Sequence, residues 1–299
     1  MTNTAVCRKA GGGNSSGCHD GGLTTRFAPS PTGHLHLGHV LAAATAWSRA
    51  RQAGGRFLLR MEDIDPDRCR PEYAAAIEED LRWLGLDWDG EVMVQSTRLP
   101  LYRAALDRLA ARGLLYPCFC SRAEIRREIA ATARAPHGPD GAPAYPGTCR
   151  RLSSAARADR IEAGAPHALR LDMGRALADA PELTFTEEGE GEVRCAPGLF
   201  GDVVLARRDA PASYHLCVTH DDAAQGVTLV TRAVDLRPAT HLHRLIQHLM
   251  GWPAPRYAHH ALLTDANGQR LSKRDGAVTV REMRAAGVGL GEILKDVLF

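Results

Sequence analysis

At 299 residues, 44% hydrophobic and 24% charged, the chain has the composition of a globular protein able to bury a core in one or two domains. A formal net charge of +2 excludes a strongly basic nucleic-acid wrapper, while leaving room for RNA binding by a local arginine patch. No apolar run approaches the roughly 20 residues of a membrane span, so no membrane partner is expected.

Residues 1–22 are rich in Gly, Ser and Asn and lack the apolar stretch of a secretory signal. They read as a disordered tail in which Cys7 and Cys18 are incidental. A reducing cytoplasm is then the expected compartment, and the eight cysteines are weighed as metal ligands or core residues rather than disulfides. From Thr24 the pattern predicts a strand, a Pro/Gly-rich turn and a helix opening at Leu37-Gly38-His39, Ala-rich from Leu41 to Arg51 and ended by Gly54-Gly55. Arg56 to Met61 is an apolar run suited to a buried parallel strand. It leads into Glu62-Asp63-Ile64-Asp65, acids at the carboxyl end of a strand, where open α/β sheets gather ligands. Pro71 opens a helix with Tyr73, Ile77, Leu81 and Leu84 on one face, and Leu101 to Arg112 is a further amphipathic helix.

After Tyr116 the composition changes. Ala135 to Gly147 is dense in Pro and Gly, and no long periodic run precedes Ala168, which predicts an inserted module of irregular structure. Regular punctuation resumes with a buried strand at Phe200 to Leu205, the stretch Ser213 to Val218, a strand at Val227 to Val230 and a helix from Ala239 to Met250. A sheet interrupted and then completed implies an α/β nucleotide-binding fold split in two halves. The expected division is a tail (1–22), a first half-domain (23–112), the insertion (113–198), a second half-domain ending in a lysine loop (199–274) and a short helical segment (275–299).

Two distant stretches carry chemistry. In Arg26-Phe27-Ala28-Pro29-Ser30-Pro31-Thr32-Gly33-His34-Leu35-His36-Leu37-Gly38-His39, the turn aims backbone N–H groups, the positive end of a helix dipole and two imidazoles at one point, which suits a phosphate. In Leu271-Ser272-Lys273-Arg274, a flexible ammonium can reach a polyphosphate. Only Lys9, Lys273 and Lys295 are lysines in a chain with 37 basic residues, so position 273 departs from the chain's preference for arginine. Together the stretches point to nucleotide activation. A third pattern, Cys118-Phe119-Cys120 with Tyr145 and Cys149, offers three thiolates and a phenol oxygen to a tetrahedral zinc; free thiols are the alternative. His137 is either a spare ligand or an exposed loop histidine. Arg122, Arg126, Arg127, Arg134, Arg150, Arg151 and Arg157 flank this pattern, and read equally as a solvated face or as grips for RNA phosphates.

The imidazole turn, Arg60-Met61-Glu62-Asp63-Ile64-Asp65 and Leu271-Ser272-Lys273-Arg274 resemble bacterial class I glutamyl-tRNA synthetases from about Arg26 onward. Only some 25 residues follow the lysine loop here, where the full enzymes carry a helical anticodon-binding region. With the cysteine pattern, this resembles the truncated glutamyl-queuosine tRNA(Asp) paralogues. The resemblance implies a class I Rossmann-like fold split by a zinc-binding insertion. It also implies activation of L-glutamate by ATP with Mg²⁺, independent of tRNA, and transfer to the queuosine base in the anticodon of tRNA(Asp). Arg26, Phe27, Ala28, Pro29 and Ser30 would line the glutamate site, with a guanidinium selecting glutamate over glutamine by charge. Glu62 would hold the α-ammonium. Tyr214 and Arg232, otherwise readable as a half-buried aromatic and a surface charge, would complete the pocket. His36, Gly38, His39, Ser272 and Lys273 would bind ATP, with His36, His39 and Lys273 catalytic. Cys118, Cys120, Tyr145 and Cys149 would hold one structural zinc. A monomer is expected.

Three other readings stand beside this one. They are the catalytic part of an ordinary glutamyl-tRNA synthetase, a non-catalytic zinc and RNA-binding module, and a small-molecule nucleotidylyltransferase with the same His-x-Gly-His turn.

Overall fold

The computed structural model describes residues 22–130, 138, 139, 141, 144–263, 278–289 and 291–293. The chain opens with strand β1 (Thr24–Phe27), helix α1 (Leu37–Gln52), β2 (Arg56–Met61), α2 (Pro71–Trp83), β3 (Met93–Val94) and α3 (Leu99–Ala111). β1, β2 and β3 form a parallel sheet in that spatial order. β2 is buried from Phe57 onward, as a strand covered on both faces must be. Its one charged interior residue, Arg60, is fully buried. The alanines of α1 explain its placement: Ala43, Ala44, Ala46 and Ala50 are buried, and their small side chains bring the helix close onto the sheet beside Val40, Phe57 and Leu59. Helix α3 begins two residues before Leu101, because Pro100 fits the first turn.

The middle of the chain is more ordered than its composition predicts. It holds β4 (Leu115–Cys118), α4 (Arg122–Ala130), a 3-10 turn at Cys149–Arg151, α5 (Ser154–Glu162), β5 (Ala168–Leu171) and α6 (Met173–Ala178). α4 and α5 bury no residue, so they carry no apolar stripe that a sequence reading could find. β6 (Thr184–Glu187) and β7 (Gly191–Arg194) form a hairpin, and β8 (Val204–Ala206) follows a 3-10 turn at Pro197–Phe200. The run Phe200 to Leu205, expected as a strand of the resumed nucleotide-binding sheet, is therefore mostly turn. Its strand β8 pairs antiparallel with β5, in a small sheet ordered β4-β5-β8.

The chain then forms α7 (Tyr214–Ala224), β9 (Leu229–Ala233), α8 (Arg237–Met250), β10 (Arg256–His260) and α9 (Val280–Ala285). β9 and β10 run parallel in full register, and β10 also takes β6, giving the order β7-β6-β10-β9. This pairing crosses the expected boundary at 198, since residues 184–194 lie in the sheet of the second half. The two sheets meet edge to edge at β1 and β9: Thr228 N–H donates to Thr24 O at 3.0 Å, and Thr24 N–H to Thr228 Oγ1 at 2.9 Å. Chain order reverses there, and the carboxyl ends of β1 and β9 open together, which is where ligands bind in doubly wound sheets. α8 buries Leu242, Leu245, Ile246 and Leu249 behind this junction and ends at Gly251, whose φ of 69° suits glycine. Among the described residues, no helix is long and apolar enough to cross a membrane.

Candidate active site and thiolate cluster

A cavity of about 530 Å³ opens at this junction. It brings together Arg26, Phe27, Ala28, Pro29 and Ser30 from β1 and the following loop, and His36, Gly38 and His39 from the start of α1. Glu62 from the end of β2, Tyr214 from α7 and Arg232 from β9 complete the set. Ser272 and Lys273 lie outside the described residues.

The imidazole turn has defined chemistry. His36 caps α1: its Nδ1 accepts the Gly38 N–H at 3.1 Å, and the His36 N–H donates to His39 Nδ1 at 3.2 Å. The rings lie 3.8 Å apart, centroid to centroid. With both Nδ1 atoms accepting from the backbone, each ring carries a proton on Nε2, beside the positive end of a 16-residue helix. Gly38 is needed for this stacking, because a Cβ there would stand 3.0 Å from His36 Cε1.

The second feature is a group of buried charges. Arg26 donates through Nε and Nη2 to Asp222 at 2.9 and 3.3 Å, and through Nη1 to Thr231 O at 3.3 Å. Three of its five N–H groups are used, leaving one on each terminal nitrogen, the arrangement a carboxylate can clamp. Arg60 spans Asp222 at 2.8 Å, Gln225 at 2.9 Å and Glu62 at 3.1 Å. The two carboxyls are driven apart. Burial raises Asp222, but Arg26 and Arg60 outweigh it and hold the group below the usual carboxylate range. Burial pushes Glu62 above its ordinary value, against the pull of Arg60 and Arg26. Asp222 is thus the counterion of both arginines, and Glu62 is the carboxylate that gains most from a further cation.

Arg232 differs from these. It is 5% exposed, and donates to His259 Nε2 at 3.1 Å, His243 Nδ1 at 3.2 Å and Thr240 Oγ1 at 2.7 Å. Among the described residues no carboxylate contacts it. A buried guanidinium without a counter-anion is costly unless a ligand supplies one. It too keeps one N–H on each terminal nitrogen for that purpose. Thr231 also lines the cavity, and its buried Oγ1 has no hydrogen-bond partner among the described residues. Asp222, Arg60, His243, His259, Thr240 and Thr231 were assigned no role from the sequence. Arg60 alone carried a local signal, as a charge inside an apolar strand.

A separate cluster lies in the middle module. The sulfurs of Cys118, Cys120 and Cys149 all lie within 4.8 Å of one another. Cys120 Sγ is 3.4 Å from both Cys149 Sγ and Tyr145 Oη. A tetrahedral ion about 2.3 Å from each sulfur separates its ligands by roughly 3.7 Å, so the set fits a metal of zinc type. Cys149 Sγ accepts the Phe119 N–H at 3.3 Å, and Tyr145 Oη accepts the Cys149 N–H at 2.9 Å. Burial raises the Cys149 thiol, yet Tyr145 and Phe119 together bring it below its ordinary value, which favours a thiolate ligand. The Arg170 guanidinium lies 3.9 Å over the Tyr145 ring and Arg150 pairs with Asp202, so part of the arginine surround is structural. Arg122, Arg126 and Arg127 stand exposed on α4, while Arg134 and His137 lie outside the described residues. Cys69, Cys195 and Cys217 take no part in the cluster.

Comparison with known proteins places this geometry. The family model of class I tRNA synthetases for glutamate and glutamine, catalytic domain, matches residues 22–292. A glutamyl-Q tRNA(Asp) synthetase of Rhodobacter capsulatus is 51% identical over 274 residues, covering 91% of this chain and 98% of that one. Its counterpart in Nocardia farcinica is 48% identical, covering 90% and 81%. The crystal structure of a glutamate tRNA ligase from Elizabethkingia meningosepticum in complex with its amino acid superposes with a TM-score of 0.71 at 28% identity. That likeness covers 85% of this chain and spans about half (52%) of the ligase. The chain belongs to the class I glutamyl- and glutaminyl-tRNA synthetase family, in the group of glutamyl-Q tRNA(Asp) synthetases.

Proposed function

We propose that this protein joins L-glutamate to AMP at the expense of ATP, without needing tRNA, and transfers the glutamyl group to the queuosine base in the anticodon of tRNA(Asp). The observation that carries this reading is the cavity itself. A capped, imidazole-bearing helix N-terminus opens onto a chamber whose buried guanidinium, Arg232, lacks a counter-anion among the described residues. The relatives that match over most of their length, glutamyl-Q tRNA(Asp) synthetases by name, supply the acceptor.

In this reading Arg26, Arg232 and Tyr214 take the substrate's carboxylates while Ala28 and Ser30 shape the wall. Glu62 holds the α-ammonium, whose arrival offsets the cost of burying that carboxylate. The α-carboxylate oxygen attacks the α-phosphorus of ATP, accompanied by Mg²⁺; the bond to the β-phosphate bridging oxygen breaks and pyrophosphate leaves. The Nε2–H groups of His36 and His39 stabilise charge on the phosphates, and Lys273 neutralises the departing pyrophosphate. Residues on both sides of 264–277 support this role for the lysine loop. Leu262 and Leu263 line the cavity, and Thr279 pairs with His36 while the Val280 N–H donates to Leu35 O at 2.8 Å. A queuosine hydroxyl then attacks the activated carbonyl and AMP departs, with proximity supplying much of the acceleration. Cys118, Cys120, Cys149 and Tyr145 would hold one structural zinc, which supplies folding energy to the module and no step of the reaction. The protein would act as a cytoplasmic monomer.

Exchange of labelled pyrophosphate into ATP tests the activation step. Glutamate should support it with no tRNA present, and glutamine should not. Strict dependence on tRNA would favour an ordinary glutamyl-tRNA synthetase instead.

A further inference from the structure

Behind Arg232 the sheet carries a polar rung across three parallel strands. Arg232 on β9 lies in register with His259 on β10, and Glu187 on β6 reaches His259 from the far side. Glu187 Oε1 accepts the His259 backbone N–H at 2.9 Å, and Oε2 lies 2.8 Å from His259 Nδ1. A carboxylate there holds the imidazole proton on Nδ1. That leaves the Nε2 lone pair to accept from Arg232 Nε at 3.1 Å. On the guanidinium's other side, His243 Nδ1 and Thr240 Oγ1 accept from the two terminal nitrogens. The rung is dry: Glu187 is 4% exposed, Arg232 5%, His243 2% and Thr240 0%.

We infer that Glu187 and His259 are positioning residues for the substrate pocket. Glu187 selects the His259 tautomer, and the neutral imidazole orients the Arg232 guanidinium without neutralising it. A carboxylate touching Arg232 directly would hold it equally well, but would compete with the anionic group of the substrate. An imidazole in between transmits orientation and keeps the positive charge available. This rests on the reading of Arg232 as a partner of a glutamate carboxylate.

The test is steady-state pyrophosphate exchange by Glu187→Gln, His259→Gln and His259→Leu beside the wild type. In Glu187→Gln an amide N–H facing Nδ1 shifts the ring proton to Nε2, where it opposes the Arg232 N–H. KM for glutamate should rise about tenfold, as expected for one lost charge-assisted contact, with a smaller change in kcat and an unaltered KM for ATP. His259→Leu should do the same. His259→Gln, whose amide can donate to Glu187 and accept from Arg232, should recover most of the affinity. A uniform loss in all parameters would mark a purely structural role and overturn the inference, as would an unchanged KM for glutamate in both Glu187→Gln and His259→Leu. No glutamate-dependent exchange in the wild type would overturn the underlying reading of the site and this inference with it.

Discussion

Glu62 and Asp222 sit within one group of buried charges and yet have opposite electrostatic fates, because Asp222 takes the short contacts of two arginines and Glu62 only the longer ones of Arg60. The same residue-scale logic applies to the buried imidazoles. Burial, with Arg232, His215, Arg26 and His259 nearby, drives His243 well below the ordinary imidazole value. His259 falls to about 4, since burial and the Arg232 and Arg237 charges outweigh Glu187. Both rings are neutral when folded, whereas in the unfolded chain they titrate near 6.5. Between pH 4 and 6.5 the unfolded state therefore binds more protons, and stability falls as the medium is acidified. The unfolding free energy from urea titration should drop from pH 7 to pH 5, by at most ~1.4 kcal/mol per pH unit for each imidazole. His259→Gln should flatten the dependence, and an equally steep slope in that variant would refute the assignment. At this scale the legible residues were those in contiguous motifs, since His36, Gly38 and His39 are set by one helix start. Asp222 and His259 were not legible, because Asp222 meets an arginine 196 residues away through the packing of α7, and His259 meets Arg232, 27 residues away, through strand register.

Among the elements, the parallel strands and apolar helices were readable from periodicity, and the surface helices of the middle module were not. Among the described residues, the module's buried cluster consists of Tyr116, Cys118, Tyr145 and Cys149, too few side chains to hold so many exposed arginines in place by burial alone. A metal at the thiolates would supply the difference. About one zinc per chain should remain after dialysis, and Cys149→Ala should lose it. Chelation should open Cys118–Arg151 to protease while the parallel sheet keeps its hydrogen-exchange protection. Full resistance of the module to protease after chelation would contradict a structural metal. Phe200 to Leu205 illustrates the limit of run-based reading: an apolar stretch specifies burial, but the choice between two sheets is made by distant β5.

For the whole molecule, the split α/β architecture followed from strand–helix alternation on either side of a compositional break. The point at which the halves rejoin did not follow from it, because β6 and β7 return to the parallel sheet before the composition recovers. That return brings Glu187 behind the pocket, so the region read as an insertion also supports the site. The central claim, that a glutamyl group made in this cavity is delivered to an anticodon base, is tested most directly by one transfer assay. Labelled glutamate and ATP are supplied with tRNA(Asp) that either carries or lacks queuosine, each with and without its 3′-terminal adenosine. Label should enter only the queuosine-bearing tRNA, regardless of the 3′ end. Label that depends on the terminal adenosine and ignores queuosine would contradict the claim.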